Sequence, residues 1–122
     1  MSKDSIALEK AKIFAIKMVN LYKFLSNEKR EFVLSKQLLQ SGTSIGANLT
    51  EAIHGSSEKD FLAKIYIALK ECGESSYWLE LLYKTEYINS DQYSELDSDC
   101  VELIKLLKAT AKTLSSKLKV IH

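Results

Sequence analysis

The chain has 122 residues, 46% hydrophobic and 27% charged, with a net charge of +1; this suits one globular domain and excludes a disordered polymer or a strongly polyanion-seeking protein. With no proline and four glycines, nothing forces a helix to break, and the turn residues of a many-stranded β domain are lacking. No apolar run approaches the roughly 20 residues of a membrane span, and the charged N-terminal segment is unlike a signal peptide.

The first helix is expected over residues 5–25. Leu8, Ala11, Ala15, Met18, Tyr22 and Leu25 alternate three and four apart, and Ile6, Ile13, Phe14, Val19 and Leu21 widen that seam. Asp4 or Ser5 is the expected N-cap. Residues 26–30 form a polar connection. The second helix, over residues 31–54, carries one seam of Leu34, Leu38, Ser41, Ile45, Asn48 and Ala52. A second seam holds Leu39, Gly42, Gly46, Leu49 and Ile53. Each mid-helix glycine costs about 1 kcal/mol against alanine, which points to close approach of another backbone. A phosphate loop would need GxxxxGK[ST] after a strand, and the segment from Gly42 to Gly46 has neither.

Gly55 is expected to close that helix as a C′ glycine, and Ser57 with Asp60 resembles a capping box. The third helix, over residues 58–86, runs along Leu62, Ile65, Leu69, Cys72, Ser76, Leu79 and Tyr83. Ile67, Trp78 and Leu81 fall on other faces, so this helix needs cover on more than one side. Ser90 is the expected N-cap of a fourth helix over residues 91–118, along Tyr93, Leu96, Cys100, Leu103, Leu107, Thr110 and Leu114. Short connections between long helices imply an all-α fold, an antiparallel up-down-up-down four-helix bundle. The apolar excess, placed on the second and third helices, implies self-association.

Polar residues interrupt the apolar seams. With a hairpin centred on Ser56, Asn48 faces Lys64 and Ser41 faces Glu71, which predicts a polar cluster of Ser41, Ser44, Asn48, Glu51, Lys64 and Glu71. Charges there need partners. Such a cluster fixes helix register, as a seam Asn does in a coiled coil; the alternative, a ligand or acid/base site, lacks a nucleophile–base pair. Glu51-x-x-His54 has the half-site spacing of carboxylate-bridged di-iron bundles, but the other histidine is His122, which excludes a single-chain di-metal site. No metal or cofactor is expected. Cys72 and Cys100 lie inside expected helices without CxxC spacing, which reads as buried reduced thiols in a cytoplasmic protein. No catalytic constellation appears.

The fourth helix is split in charge. Asp91, Glu95, Asp97, Asp99 and Glu102 precede Lys105, Lys108, Lys112, Lys117 and Lys119, an order that complements the helix macrodipole. Lys105, Lys108, Lys112 and Lys119 also share one face, a candidate stripe for phosphate backbone. Arg30 is the only arginine, which argues against sequence-specific base reading.

Ser44-Ile45-Gly46-Ala47-Asn48-Leu49-x-Glu51-Ala52, then Ser57-x-x-Asp60-Phe61, then Lys64-Ile65-x-Ile67-Ala68-Leu69-Lys70-Glu71 and Glu74-x-x-Tyr77-Trp78-Leu79 carry a family pattern. The stretch from Ser35 to Leu82 resembles the bacterial 23S rRNA intervening-sequence proteins. The resemblance implies a four-helix bundle assembled as a ring, in known cases a homopentamer. A related branch includes the accessory protein of diversity-generating retroelements, a basic pentamer that binds a reverse transcriptase and nucleic acid. This chain, at +1, is not basic in that way. The expected protein is a non-enzymatic oligomeric scaffold or adaptor, with nucleic-acid or nucleoprotein binding through the lysine stripe as the alternative.

Overall fold

A computed structural model describes residues 3–121, with side chains described for residues 6–119. Four helices follow one another: α1 (Lys3–Asn27), α2 (Leu34–Ile53), α3 (Glu58–Lys84) and α4 (Ser90–Ile121). Among the described residues there is no strand. Packing runs α1 on α2, α2 on α3, α3 on α4 and α4 back on α1. The helices therefore form a closed square, with α1 diagonal to α3 and α2 diagonal to α4.

Every adjacent pair is antiparallel. Gly42 abuts Met18 and Gly46 abuts Ala11. Across α2 and α3, Glu51 meets Lys64 and Ser41 meets Ser75. Across α3 and α4, Glu58 meets Lys117 and Ser76 meets Asp97. In each case the partner number falls as the residue number rises. Phe14, Met18, Leu25, Leu38, Ile45, Ile65, Leu79, Leu82, Leu103 and Leu107 fill the centre and are almost wholly excluded from solvent. These are the residues that the 3.6-residue period places on one face of each helix.

The helix ends differ from the sequence expectations in specific ways. The second helix begins at Leu34 rather than 31 because Glu31 turns back as its cap. The carboxylate accepts the N–H groups of Val33 (2.9 Å), Leu34 (3.0 Å) and Ser35 (2.7 Å), three of the donors a helix start leaves unpaired. Ser35 Oγ donates to the Glu31 carbonyl. Gly55 has no positive φ, so it is not a left-handed C′ residue. That role falls to Glu86 at the end of α3, with φ of 67°. There Tyr87 N–H donates to the Leu82 carbonyl and Glu86 N–H to the Tyr83 carbonyl, a Schellman ending built without glycine.

Ser57 caps α3 as expected, accepting from Asp60 N–H at 3.0 Å. For α4 the cap is Asn89 instead of Ser90. Asn89 Oδ1 accepts from Gln92 N–H, and Gln92 Oε1 accepts from Asn89 N–H, both at 2.8 Å, a reciprocal capping box. The first helix starts upstream of Asp4 and Ser5, whose side chains lie outside the described residues.

The two α2 glycines face α1. A methyl at Gly46 would stand 3.6 Å from Ala11 Cβ and 3.8 Å from its backbone, so two main chains lie close there. At Gly42 the neighbour is a side chain: a methyl would stand 2.5 Å from Met18 Cγ.

Candidate interaction surfaces

The six polar residues of the α2–α3 seam do not form one connected network among the described contacts. Lys64 Nζ donates to Glu51 Oε1 at 3.2 Å. Ser41 Oγ pairs with Ser75 Oγ at 2.9 Å, and both hydroxyls are buried. Ser44 Oγ donates to the Gln40 carbonyl and Asn48 Nδ2 to the Ser44 carbonyl, so these two are satisfied within α2. Glu71 is half-buried and has no hydrogen-bond partner among the described contacts. Burial, then the nearby Glu74 carboxylate, push its carboxyl above the ordinary range. The pairing lies about one helical turn along from a hairpin centred on Ser56. The gap from Ile53 to Glu58 is itself centred near Ser56, so the offset comes from the two helices sliding along each other, and Ser41 meets Ser75 instead of Glu71.

On α4 three of the five acids of the first half pair with α1. Lys17 Nζ sits 2.8 Å from Asp99 and 3.2 Å from Glu95, and Lys10 Nζ sits 3.1 Å from Glu102. The Asp99 hydrogen bond outweighs the desolvation of the ammonium and raises the Lys17 pKa. Lys117 pairs with Glu58 at 2.7 Å. Lys105, Lys108, Lys112 and Lys119 are exposed and form no ion pair among the described residues. Three- and four-residue spacings keep them within a narrow arc of α4, away from the buried line of Leu103, Leu107 and Ala111.

Two outward helix faces are apolar. On α1, Ile13 is 48% exposed, Ile16 62% and Val19 39%. On α3, Tyr66 is 49% exposed and Tyr77 57%, with Ile67 beside them. Trp78 stacks edge-on against Tyr77 at 5.0 Å and donates to Glu74 Oε1. The sequence expectation put the apolar excess on the second and third helices; it lies on the first and third. The wide apolar surface of α2 is used up because α1 covers one side of it and α3 the other. The outward residues of α2 are mostly polar, including Lys36, Gln37, Gln40 and Thr50, with Ile53 the large apolar exception at its end.

An open cleft of about 700 Å³ lies at one end of the bundle, over Ala52, Phe61 and Leu114, with Thr110, Thr113 and the Glu58–Lys117 pair around it. His54 is exposed at the end of α2. Among the described residues no group of three or more histidine, cysteine or acidic side chains is placed to hold a metal ion. Cys72 and Cys100 are fully buried. Burial pushes the Cys72 thiol up to about 12 and raises Cys100 as well, so neither is an available nucleophile. No helix among the described residues is long and apolar enough to cross a membrane.

Comparison with known families matches residues 3–109 to the 23S rRNA-intervening sequence protein. The chain belongs to that family. A solved structure of similar fold is a protein of unknown function from the S23 ribosomal protein family of Bacteroides thetaiotaomicron. It is 53% identical, covers 91% of this chain and 99% of its own, and superposes with a TM-score of 0.90. No curated protein matches. Neither the 23S rRNA-intervening sequence family nor the Bacteroides relative indicates an enzymatic activity.

Within this family member, sequence reasoning missed three contacts. Ser75 lay beside the α3 seam as a small residue, with no local sign of a partner. Lys10 and Lys17 carry no local sign of the acids that the α1–α4 register sets against them. Glu31 looked like an ordinary first-turn acid, and only the break in helical periodicity at Phe32-Val33, both exposed, marks it as a cap.

Proposed function

We propose that this protein is a non-enzymatic, cytoplasmic scaffold or adaptor that acts as a homo-oligomer. The observation that carries this reading is the pair of apolar outward faces on α1 and α3. Exposed apolar clusters rimmed by charge mark interaction surfaces. The two faces differ and lie on diagonal helices, so one copy can engage two neighbours at once. Unlike surfaces meeting head to tail generate a ring when the rotation closes, and five copies is the number the family resemblance implies. The buried, unreactive thiols and the lack of a nucleophile–base pair support a non-catalytic role. Sedimentation equilibrium at micromolar concentration tests it: a mass several times 13.8 kDa is expected, and a clean monomer refutes it.

A second reading has its own observation. Because the stripe of Lys105, Lys108, Lys112 and Lys119 lies apart from the acids of α4, three of which pair with α1, it stands as local positive charge despite a net charge of only +1. Repeated around an oligomer, it would take RNA or a nucleoprotein through phosphate contacts. Affinity should fall steeply with salt as counterions are released. RNA binding unchanged by Lys105→Glu with Lys112→Glu would remove this reading.

A further inference from the structure

We propose that the outer face of α3 around Gly73 seats the outer face of α1 from the next copy of this chain, with Ile16 at the centre of the contact. The proposal rests on the oligomeric reading above and assigns the two surfaces that meet.

Gly73 is the starting point. It sits in the middle of a 27-residue helix, where glycine is a poor helix former. The two α2 glycines have neighbours that explain them, Met18 at Gly42 and Ala11 at Gly46. At Gly73 a methyl would find nothing within 4 Å, so no contact inside the chain accounts for it. It faces outward on the same stripe as Tyr66 and Tyr77, which stand about 16 Å apart along the helix axis. The stripe is thus a notch between two exposed aromatic rings, and rigid aromatic side chains are favoured anchors at protein interfaces.

The occupant follows from the other unpartnered face. Ile13, Ile16 and Val19 stand out from α1, and Ile16 is the most exposed of the three. A branched aliphatic side chain fits a glycine notch flanked by rings. One charge pair agrees: Lys23 on the α1 face and Glu80 on the α3 face are both exposed, while Lys70 and Lys84 balance Glu74 and Glu80 along the α3 stripe as a whole. In the up-down-up-down square α1 and α3 run in the same direction, so in a ring whose axis follows the helices they meet parallel. With Ile16 over Gly73, Lys23 then comes level with Glu80. The outward faces of α2 and α4 offer no comparable cluster: among the described residues each helix carries one exposed large apolar side chain, Ile53 and Val101, amid polar and charged ones.

Cysteine cross-linking in the full chain tests the proposal. Cys72 and Cys100 are wholly buried, so introduced surface thiols react without background. The open space at Gly73 lets Gly73→Cys fold. Ile16→Cys, Gly73→Cys and the double variant are treated with a short bis-maleimide. The expected result is a ladder of covalent multimers for the double variant, dimers for an equimolar mixture of the single variants, and monomers for each single variant alone. Dimers from Gly73→Cys alone would mean that α3 meets α3, and would overturn the proposal. So would a double variant that fails to cross-link while sedimentation still reports an oligomer. A monomeric unmodified chain would instead overturn the oligomeric reading itself. As a second arm, Gly73→Leu should keep the helical content and shift sedimentation toward the monomer; an unchanged assembly would also overturn the proposal.

Discussion

Alanine at each of three mid-helix glycines isolates packing from backbone propensity. The backbone part is common: glycine to alanine inside a helix gains about 1 kcal/mol. The packing part differs by position. At Gly73 the new methyl meets nothing within 4 Å, so the isolated protomer should gain the full amount, about 1 kcal/mol. At Gly46 the methyl would lie 3.6 Å from Ala11 Cβ, ordinary contact, and its burial adds up to about 0.8 kcal/mol. At Gly42 it would lie 2.5 Å from Met18 Cγ and 2.9 Å from Sδ. Met18 is itself buried and must change rotamer or shift. Overpacking of this kind costs about 1–3 kcal/mol, so the net change is a loss of roughly 0–2 kcal/mol. Urea unfolding at a protein concentration too low for assembly reads all three on one scale. The expected order of stability is Gly46→Ala, then Gly73→Ala, then the unmodified chain, then Gly42→Ala. A Gly42→Ala chain as stable as Gly73→Ala would refute the account of α1 and α2 packing through Met18.

Removing the Glu31 carboxylate strands three N–H groups at the start of α2, so Glu31→Ala should cost about 2 kcal/mol in urea unfolding. Burial raises the Glu31 pKa, but the Ser35, Val33 and Leu34 N–H groups and the Ser35 hydroxyl outweigh it and leave the pKa below its ordinary value. Its contribution is therefore complete above that ordinary value, near 4.5, and fades as pH falls through the lower folded value. Acid titration of the unmodified chain should show this loss, and Glu31→Gln should not. Glu71 has the opposite sign. Its folded pKa is raised, so its charge opposes folding increasingly as pH rises from 4.5 through the folded value. Glu71→Gln should raise the melting temperature at pH 7 and leave it nearly unchanged at pH 4. Glu86 holds a left-handed backbone, and Glu86→Gly should stabilise by about 0.5–1 kcal/mol after the extra freedom of the unfolded glycine is counted. Cys72 and Cys100 should resist a thiol-specific disulfide reagent at pH 8 until the chain unfolds; rapid native labelling would contradict their burial.

Helical periodicity is a property of neighbouring residues, and where structure depends on neighbours the sequence is readable. Leu38 and Ile45, Ile65 and Leu79, and Leu103 and Leu107 fall on the buried lines that spacing assigns them. The Ser57 cap is equally local. Features set by distance along the chain are less readable. The α2–α3 register depends on how far the two helices slide along each other, and a shift of one turn replaces Glu71 by Ser75 opposite Ser41. Whether an apolar side chain is covered depends on which helices flank it. Val19 and Leu21 both widen the first-helix seam, yet one is exposed and the other is buried. Trp78 and Leu81, read as excess surface, are half-covered within the bundle.

The charge split of α4 shows how structure decides between two explanations that agree on sign. The macrodipole favours acids at the start of a helix and bases at its end, but its effect fades beyond the first and last turns. Asp91 lies in the first turn of α4 and Lys119 in the last, so the dipole accounts for those two. Glu95, Asp99 and Glu102 lie further in and instead meet Lys17 and Lys10 at 2.8–3.2 Å. Pairs this exposed contribute at most about 1 kcal/mol each, so their main effect is on register and local charge. They offset part of the negative half of α4, with Asp91 and Asp97 outside these pairs, and leave the positive half as it was. Lys105, Lys108 and Lys112 have neither the dipole nor an ion-pair partner among the described residues. Stability within one protomer does not require cations at those three positions, which is why charge reversal there is a test of binding and not of folding.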